Sequence, residues 1–209
     1  KMYHKSNKEF YGLPENDKLF ITLEGIDGSG KTSIAKKLAN FYEENGKNVF
    51  LTEEPTKLIM DVKSLMEKDL DVFSRIFIFM ADRVEHIKLI KEKISSGYIV
   101  ICDRYVDSTL AYQGAILKNI LNGNENAYNY MMNIYRPFSL EPDKIIYLDV
   151  DPRKGIERKD KNKREYFEKL EYLKEVRNYY IYLSKIRNYI VIDSNNSLEN
   201  VWNELMKFI

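Results

Sequence analysis

Glu24-Gly25-Ile26-Asp27-Gly28-Ser29-Gly30-Lys31-Thr32 is the stretch on which the fold turns. Gly25, four residues, then Gly30-Lys31-Thr32 form the phosphate-binding loop pattern. An apolar run, Leu19 to Leu23, precedes it and a helical pattern, Thr32 to Asn45, follows. Glycines let backbone N–H groups converge on phosphate oxygens without Cβ clashes. A helix beginning at Lys31 points its positive end at the same phosphates. Lys31 adds a point charge near the β- and γ-phosphates, and the Thr32 hydroxyl can ligate Mg²⁺. By average residue usage the four fixed positions arise in roughly 1% of chains this long. The stretch predicts a nucleoside-triphosphate site.

Outward from the loop, four more short apolar runs read as strands: Asn48–Thr52, Tyr98–Cys102, Lys144–Val150 and Tyr189–Ile192. They are β-branched and aromatic, as strands covered on both faces should be. Helical patterns lie between them at Phe73–Ser95, from Ser108 onward, and at Ala127–Tyr135, Phe167–Lys185 and Leu198–Phe208. Gly46 and Gly97 fall where left-handed helix caps are expected. Strands alternating with helices imply a parallel sheet with helices on both faces. Sites in such sheets lie beyond the carboxyl ends of the strands, which points to the residues after Leu23, Leu51, Cys102, Val150 and Ile192.

The 209 residues carry 33 Lys+Arg against 32 Asp+Glu, a formal charge of +1. That balance gives no electrostatic reason to expect an extended nucleic acid or a membrane surface as partner. One cysteine, Cys102, excludes an internal disulfide framework and a multi-cysteine zinc site and suits a reducing, cytoplasmic setting. No apolar run approaches the roughly 18 residues of a transmembrane helix, and Lys1 to Asp17 lack the apolar core of a secretory signal. The organisation expected is an N-terminal extension, 1–17, and one domain, 18–209. Within it, Arg153 to Glu165 is strongly basic, either a solvated helix face or a mobile lid over a polyanion.

Several classes share the phosphate loop. A guanine-nucleotide switch would carry Asn-Lys-x-Asp, and the nearest string, Asn162-Lys163-Arg164-Glu165, lacks the final Asp. A motor or transporter ATPase normally brings partner domains that a chain of this length does not hold. A small kinase remains. Asp103, ending the third strand, can hold Mg²⁺ through water, and Arg104 can grip an acceptor's phosphate with its forked guanidinium. Phe79 and Arg83, four residues apart on one helical face, can stack on a base and bond its edge.

Together these strings resemble the thymidylate kinases of the nucleoside monophosphate kinase group, from about Leu19 to the C-terminus. The likeness rests on Phe20–Thr32, Glu54-Pro55-Thr56, Phe79–Arg83 with His86, Asp103–Gly114 and Pro142–Pro152. Adenylate and guanylate kinases do not carry the Asp103–Gly114 string. The resemblance implies a P-loop nucleoside monophosphate kinase-like α/β fold, three layers with a five-stranded parallel sheet and a short basic lid, 153–165. It implies a homodimer and transfer of the γ-phosphate of ATP to dTMP with Mg²⁺. The apolar Ile76, Phe77, Ile78 and Met80 offer a helix face for that dimer.

By the same resemblance, Gly25, Asp27, Gly28, Ser29, Gly30, Lys31, Thr32, Ser33 and Arg153 would serve ATP, with Thr32 and Asp103 on the metal. Asp27 would meet the acceptor's 3′-hydroxyl, Phe79 would stack on thymine and Arg83 would bond its O4 edge. Glu54, Pro55, Ser108, Thr109, Tyr112 and Gln113 would complete the acceptor site, with Arg104 on its phosphate and Tyr112 crowding C2′. Some relatives place an Arg directly after the loop Asp. Here that position is Gly28, so the catalytic cation should come from the lid: Arg164, with Arg158 and Arg153 behind it. The chain departs from the family at Glu53, commonly Arg, for which Lys57 can compensate. Two other readings are a kinase for another acceptor (dUMP or a nucleoside, with Glu24 or Asp103 as base) and a nucleotide-binding protein without catalysis.

Overall fold

A computed structural model of the chain describes residues 18–65, 68–159 and 166–209. In chain order the elements are β1 (Phe20–Glu24), α1 (Lys31–Glu44), β2 (Val49–Glu53), α2 (Val62–Leu65), α3 (Val72–Ser95) and β3 (Ile99–Asp103). Then come α4 (Val106–Ile120), α5 (Asn124–Tyr135), β4 (Lys144–Asp149), α6 (Pro152–Lys159), α7 (Tyr166–Ile186), β5 (Tyr189–Asp193) and α8 (Leu198–Leu205). The strands form one sheet in the order β2-β3-β1-β4-β5, and every pairing is parallel. The alternation of short apolar runs with helical patterns thus has the expected outcome, a three-layer α/β/α fold.

Two hydrophobic clusters cover the two faces. Along β1 and β3, Phe20, Val100 and Cys102 join the cluster built with α3, α4, α5 and α7. Their neighbours Ile21, Leu23, Ile99 and Ile101 join the one built with α1 and α8. This is the two-residue period of a strand with both faces buried. The edge strands differ: β2 and β5 are partly exposed, Leu51 at 40% and Val191 at 47%. Each has a strand on one side only, and an edge is covered by fewer helices.

Four strands run one residue beyond their apolar pattern, ending on Glu24, Glu53, Asp103 and Asp193. The ladder decides this, not the side chain. Arg104 N–H donates to Leu23 O at 2.9 Å and Glu54 N–H to Asp103 O at 3.1 Å, so pairing continues through the acids. With Asp149 closing β4, all five strands end in a carboxylate at the sheet's carboxyl edge. Gly46 and Gly97 take the expected left-handed backbone, φ 77° and 82°.

The basic segment holds a helix, α6. Asp151 Oδ1 accepts from Arg153 N–H at 2.8 Å, and Pro152 takes the first helical position, where its missing N–H costs nothing. Residues 160–165, the remainder of the expected lid, lie outside the described residues, as does the 1–17 extension. On α3, Ile76 and Met80 are buried in the chain's own core, which removes them from the face expected for a partner. Phe77 remains 52% exposed there. Among the described residues no helix is long and apolar enough to cross a membrane.

Candidate active site

Two cavities open at the carboxyl edge of the sheet. The larger, about 660 Å³, is lined by Asp27 to Ile34, by Glu53, Glu54 and Pro55, and by Asp103 and Arg104. Arg158 and Lys159 of α6, and Ser194, Asn196, Ser197, Leu198 and Val201 after β5, close it. The smaller, about 280 Å³, is lined by Phe79, Arg83, Ser108, Thr109, Tyr112 and Gln113, with Arg75, Tyr105 and Tyr172. Asp27, Glu54, Pro55 and Arg104 line both. The two spaces therefore share a wall of two acids, a proline and an arginine.

The loop before α1 is folded around Lys31. Its buried ammonium donates to Gly25 O at 3.0 Å, Ile26 O at 2.9 Å and Ser29 Oγ at 3.3 Å. Burial above all, then the nearby Arg104, pulls its pKa down to about 7. Gly28 has φ 78°, and a Cβ there would lie 2.0 Å from Gly155 O on α6. This position admits no side chain because the first turn of α6 rests on it. Thus the sequence signal for a lid-supplied cation coincides with a steric reason: an Arg at 28 would displace α6.

Behind Lys31, Thr32 Oγ1 donates to Asp103 Oδ2 at 2.5 Å. Asp103 Oδ1 is buried and has no hydrogen-bond partner among the described residues. A buried carboxylate oxygen left unsatisfied needs a role. Beside a hydroxyl, at a phosphate loop, these oxygens match the hard-donor chemistry of Mg²⁺, which takes one or two protein oxygens and completes its shell with water and phosphate.

Arg104 has a left-handed backbone, φ 72°, which turns its side chain back over the loop. One terminal nitrogen donates to Asp27 Oδ1; the other donates to Gly25 O and Ser108 Oγ, each at 3.2 Å. Its guanidinium lies 5.3 Å from the centre of the Tyr112 ring. Lys159 Nζ is 3.3 Å from Asp27 Oδ2. Burial pushes the Asp27 carboxyl up, but Arg104, Lys159 and Lys31 outweigh it and hold the group below the usual carboxylate range. Arg158 reaches the loop too, donating to Gly28 O at 3.3 Å and Ser194 O at 3.1 Å.

In the smaller cavity Arg83 is 1% exposed. Its Nε and Nη2 donate to Glu54 Oε2 at 2.9 and 2.5 Å, and Nη2 also reaches Thr109 Oγ1 at 3.0 Å and Tyr105 O at 3.2 Å. Nη1 meets the weakly accepting Met80 sulfur at 3.4 Å. Among the described residues Nη1 has only this weak acceptor, so it is the terminal nitrogen of the fork with bonding capacity to spare, and Arg83 and Phe79 both line the cavity. Tyr112 OH accepts from Asp27 N–H at 3.1 Å, tying this cavity to the phosphate loop.

Most of the residues singled out in the sequence fall on one of these walls. Gly25 supports the loop from behind through its carbonyl. Arg153 is exposed and lines neither cavity, and Arg164 is outside the described residues. Lys57 borders a separate pocket with His86 and Leu89 and does not line the smaller cavity, whereas Arg75 does. Sequence reading did not single out Lys159, Tyr172 or Ser194. Lys159 stood within the basic run and Ser194 within the stretch after Ile192, but neither had a signal of its own; Tyr172 had none.

The profile of the thymidylate kinase family matches residues 23–205. A probable thymidylate kinase of Methanosarcina barkeri is 39% identical over 196 residues, covering 90% of this chain and 94% of that protein. One from Staphylothermus marinus is 37% identical over 205 residues, covering 94% and 97%. A thymidylate kinase of Thermosipho africanus is 34% identical over 204 residues, covering 91% and 97%. The chain belongs to the thymidylate kinase family.

Proposed function

We propose that this enzyme transfers the γ-phosphate of ATP to dTMP, giving ADP and dTDP, with ATP in the larger cavity and dTMP in the smaller. Family membership carries the reaction. The shared wall of Asp27, Glu54, Pro55 and Arg104 is the observation that supports the assignment of the two substrates. Two phosphate-bearing ligands meeting there bring the transferred group beside Lys31, Arg104, Arg158 and Lys159.

The attacking group is already an anionic phosphate oxygen, so no strong base is needed. Catalysis becomes positioning plus charge neutralisation. A triphosphate at the loop replaces the backbone partners of Lys31 and favours its charged form. An acceptor phosphate draws Arg104, whose fork suits bidentate contact. Asp27, released from part of that pairing, meets the 3′-hydroxyl. Phe79 stacks on thymine, and Arg83 Nη1 faces its O4 edge, with Thr109 and Gln113 beside it. Tyr112 crowds C2′, which disfavours ribonucleotides. Thr32 and Asp103 would hold Mg²⁺, which would offset charge on the β- and γ-phosphate oxygens. The cation facing the transferred group comes from α6 and the segment after it: Arg158 and Lys159, with Arg164 retained as a candidate. We extend the proposal to a homodimer that includes the exposed Phe77 face, and to a cytoplasmic setting.

Glu24 does not support the rival reading of a nucleoside kinase. It is fully buried and lines neither cavity, its carboxyl oxygens accepting from Tyr105 N–H, Ser108 and Tyr180. A coupled ADP-release assay across nucleoside monophosphates and nucleosides tests the function. The fastest turnover should be with dTMP; equal or greater turnover with thymidine would overturn the assignment.

A further inference from the structure

His86 has no part in the chemistry above, yet it is 0% exposed and fully engaged. It lies on α3 three residues beyond Arg83, on the side that faces β2. Its Nδ1 is 2.9 Å from Glu54 Oε1, and its Nε2 is 2.9 Å from Thr52 Oγ1. Glu54 Oε2, the other oxygen of the same carboxylate, holds both Nε and Nη2 of Arg83. A chain of buried polar groups therefore runs Thr52–His86–Glu54–Arg83–Thr109 from β2 to the wall of the smaller cavity.

The proton positions in this chain follow from its end groups. A carboxylate accepts only, so Nδ1 must carry the hydrogen and donate to Glu54. In the neutral ring Nε2 is then an acceptor, filled by the Thr52 hydroxyl. Every bond is satisfied with a neutral imidazole, and the carboxylate is fixed from both sides. Without the Nδ1 donor, Glu54 Oε1 would be a buried acceptor with no partner, and the carboxylate would be free to rotate. Arg83 would follow it, because two of its donors rest on one oxygen of that group. Buried networks of this kind are specific when fully satisfied and unstable in geometry when one link is lost.

We propose that His86, backed by Thr52, is a positioning residue for recognition of the acceptor base. It fixes the Glu54 carboxylate, which aims Arg83 Nη1 into the smaller cavity. The proposal rests on the acceptor reading above, and adds that the base-reading guanidinium is set through His86 from β2. Glu54 also borders the larger cavity, but among the described residues its carboxylate bonds Arg83 and His86 and not the phosphate loop, so the loss of His86 falls on acceptor binding and not on ATP binding.

The test is a set of three variants with steady-state kinetics in both substrates. Asn at 86 places an amide donor near the former Nδ1, Gln reaches the former Nε2, and Leu supplies neither. The expected result is a dTMP KM raised about tenfold in His86→Leu and His86→Gln, but within about twofold of wild type in His86→Asn. The ATP KM and kcat should stay within about twofold in all three, as for loss of uniform acceptor binding. Equal dTMP KM values in Asn and Leu variants, or an ATP KM rising in step, would overturn the proposal. Should a variant fail to fold, Thr52→Val removes the backing hydroxyl while keeping shape and should raise the dTMP KM about threefold. An unchanged value there would equally overturn it. Wild-type enzyme that does not phosphorylate dTMP would instead overturn the acceptor reading, leaving the two failures distinguishable.

Discussion

The larger cavity, proposed for ATP, takes an unbroken stretch of chain, Asp27 to Ile34, as its floor, while the smaller, proposed for dTMP, is assembled mainly from α3, α4, α7 and the turn after β2. In the first, recognition comes from backbone groups and one lysine at the end of a helix, so spacing along the chain specifies it. In the second, recognition comes from side chains whose positions depend on partners far off in sequence. Arg83 is set by Glu54, and Glu54 by His86. A polyphosphate offers the same shape and charge to every loop of this kind, whereas choosing one base requires a fixed, desolvated fork. The contrast predicts that damage to the ATP side lowers turnover, and damage to the dTMP side lowers affinity and selectivity.

Lys31→Ala should have the largest effect. Removing the charge beside the transferred phosphate should cut kcat on the order of 10³-fold, with a circular dichroism spectrum like wild type. A loss under about tenfold would break the assignment of the loop to catalysis. Arg83→Met comes next. It should raise the dTMP KM about a hundredfold while leaving the ATP KM near wild type. It should also destabilise the fold by about 3–5 kcal/mol, because the buried Glu54 keeps His86 on Oε1 but loses its guanidinium counter-charge and both donors to Oε2; chemical denaturation measures this. An ATP KM rising as much as that of dTMP would dissolve the division of labour between the cavities.

Gly28→Ala sharpens the comparison from the lid side. Its Cβ would meet Gly155 O at 2.0 Å, forcing α6, with Arg158 and Lys159, off the loop. We expect kcat to fall about tenfold with little change in the dTMP KM. A wild-type kcat would show that the seat of α6 on the loop does not matter for turnover. Glu24→Gln should change turnover least and the pH dependence of stability most. Burial, then the nearby Asp107, pushes the Glu24 carboxyl from the ordinary 4.5 up to about 8. A carboxyl with a raised folded-state pKa binds its proton more tightly when folded. Its contribution is therefore fully present below about 4.5 and is lost as pH rises through about 8. The variant should show a flatter decline of melting temperature from about pH 5 to about pH 8 than wild type. Parallel curves would remove Glu24 as the source.

The same contrast explains what could be read from the residues. The strand–loop–helix order around Lys31 and the five-stranded parallel sheet were legible because both are local patterns repeated along the chain. Strand ends were missed by one residue, since a terminal Glu or Asp looks like a loop until the ladder beside it is known. The helix α6 was one of two readings of its basic run, and Asp151-Pro152 is a start signal that favours it. Phe79 and Arg83 could be paired by helical spacing, but Arg75, four residues earlier on the same helix, carried no mark. His86 could not be linked to Glu54 because 32 residues separate them in sequence and only the packing of α3 on β2 brings them together. Tyr172 was invisible for the same reason.

In the proposed reaction two nucleotides lie in adjoining cavities with their phosphates meeting at Asp27, Glu54, Pro55 and Arg104. The most direct test of this arrangement is the affinity of a single molecule that joins adenosine to thymidine through a polyphosphate bridge. Joining the two halves makes the second binding event intramolecular, so its Kd, measured by titration calorimetry, should be about 10²–10⁴ times lower than that of ATP or dTMP alone. Arg83→Met should remove most of that gain. A joined ligand that binds no more tightly than ATP would contradict the account.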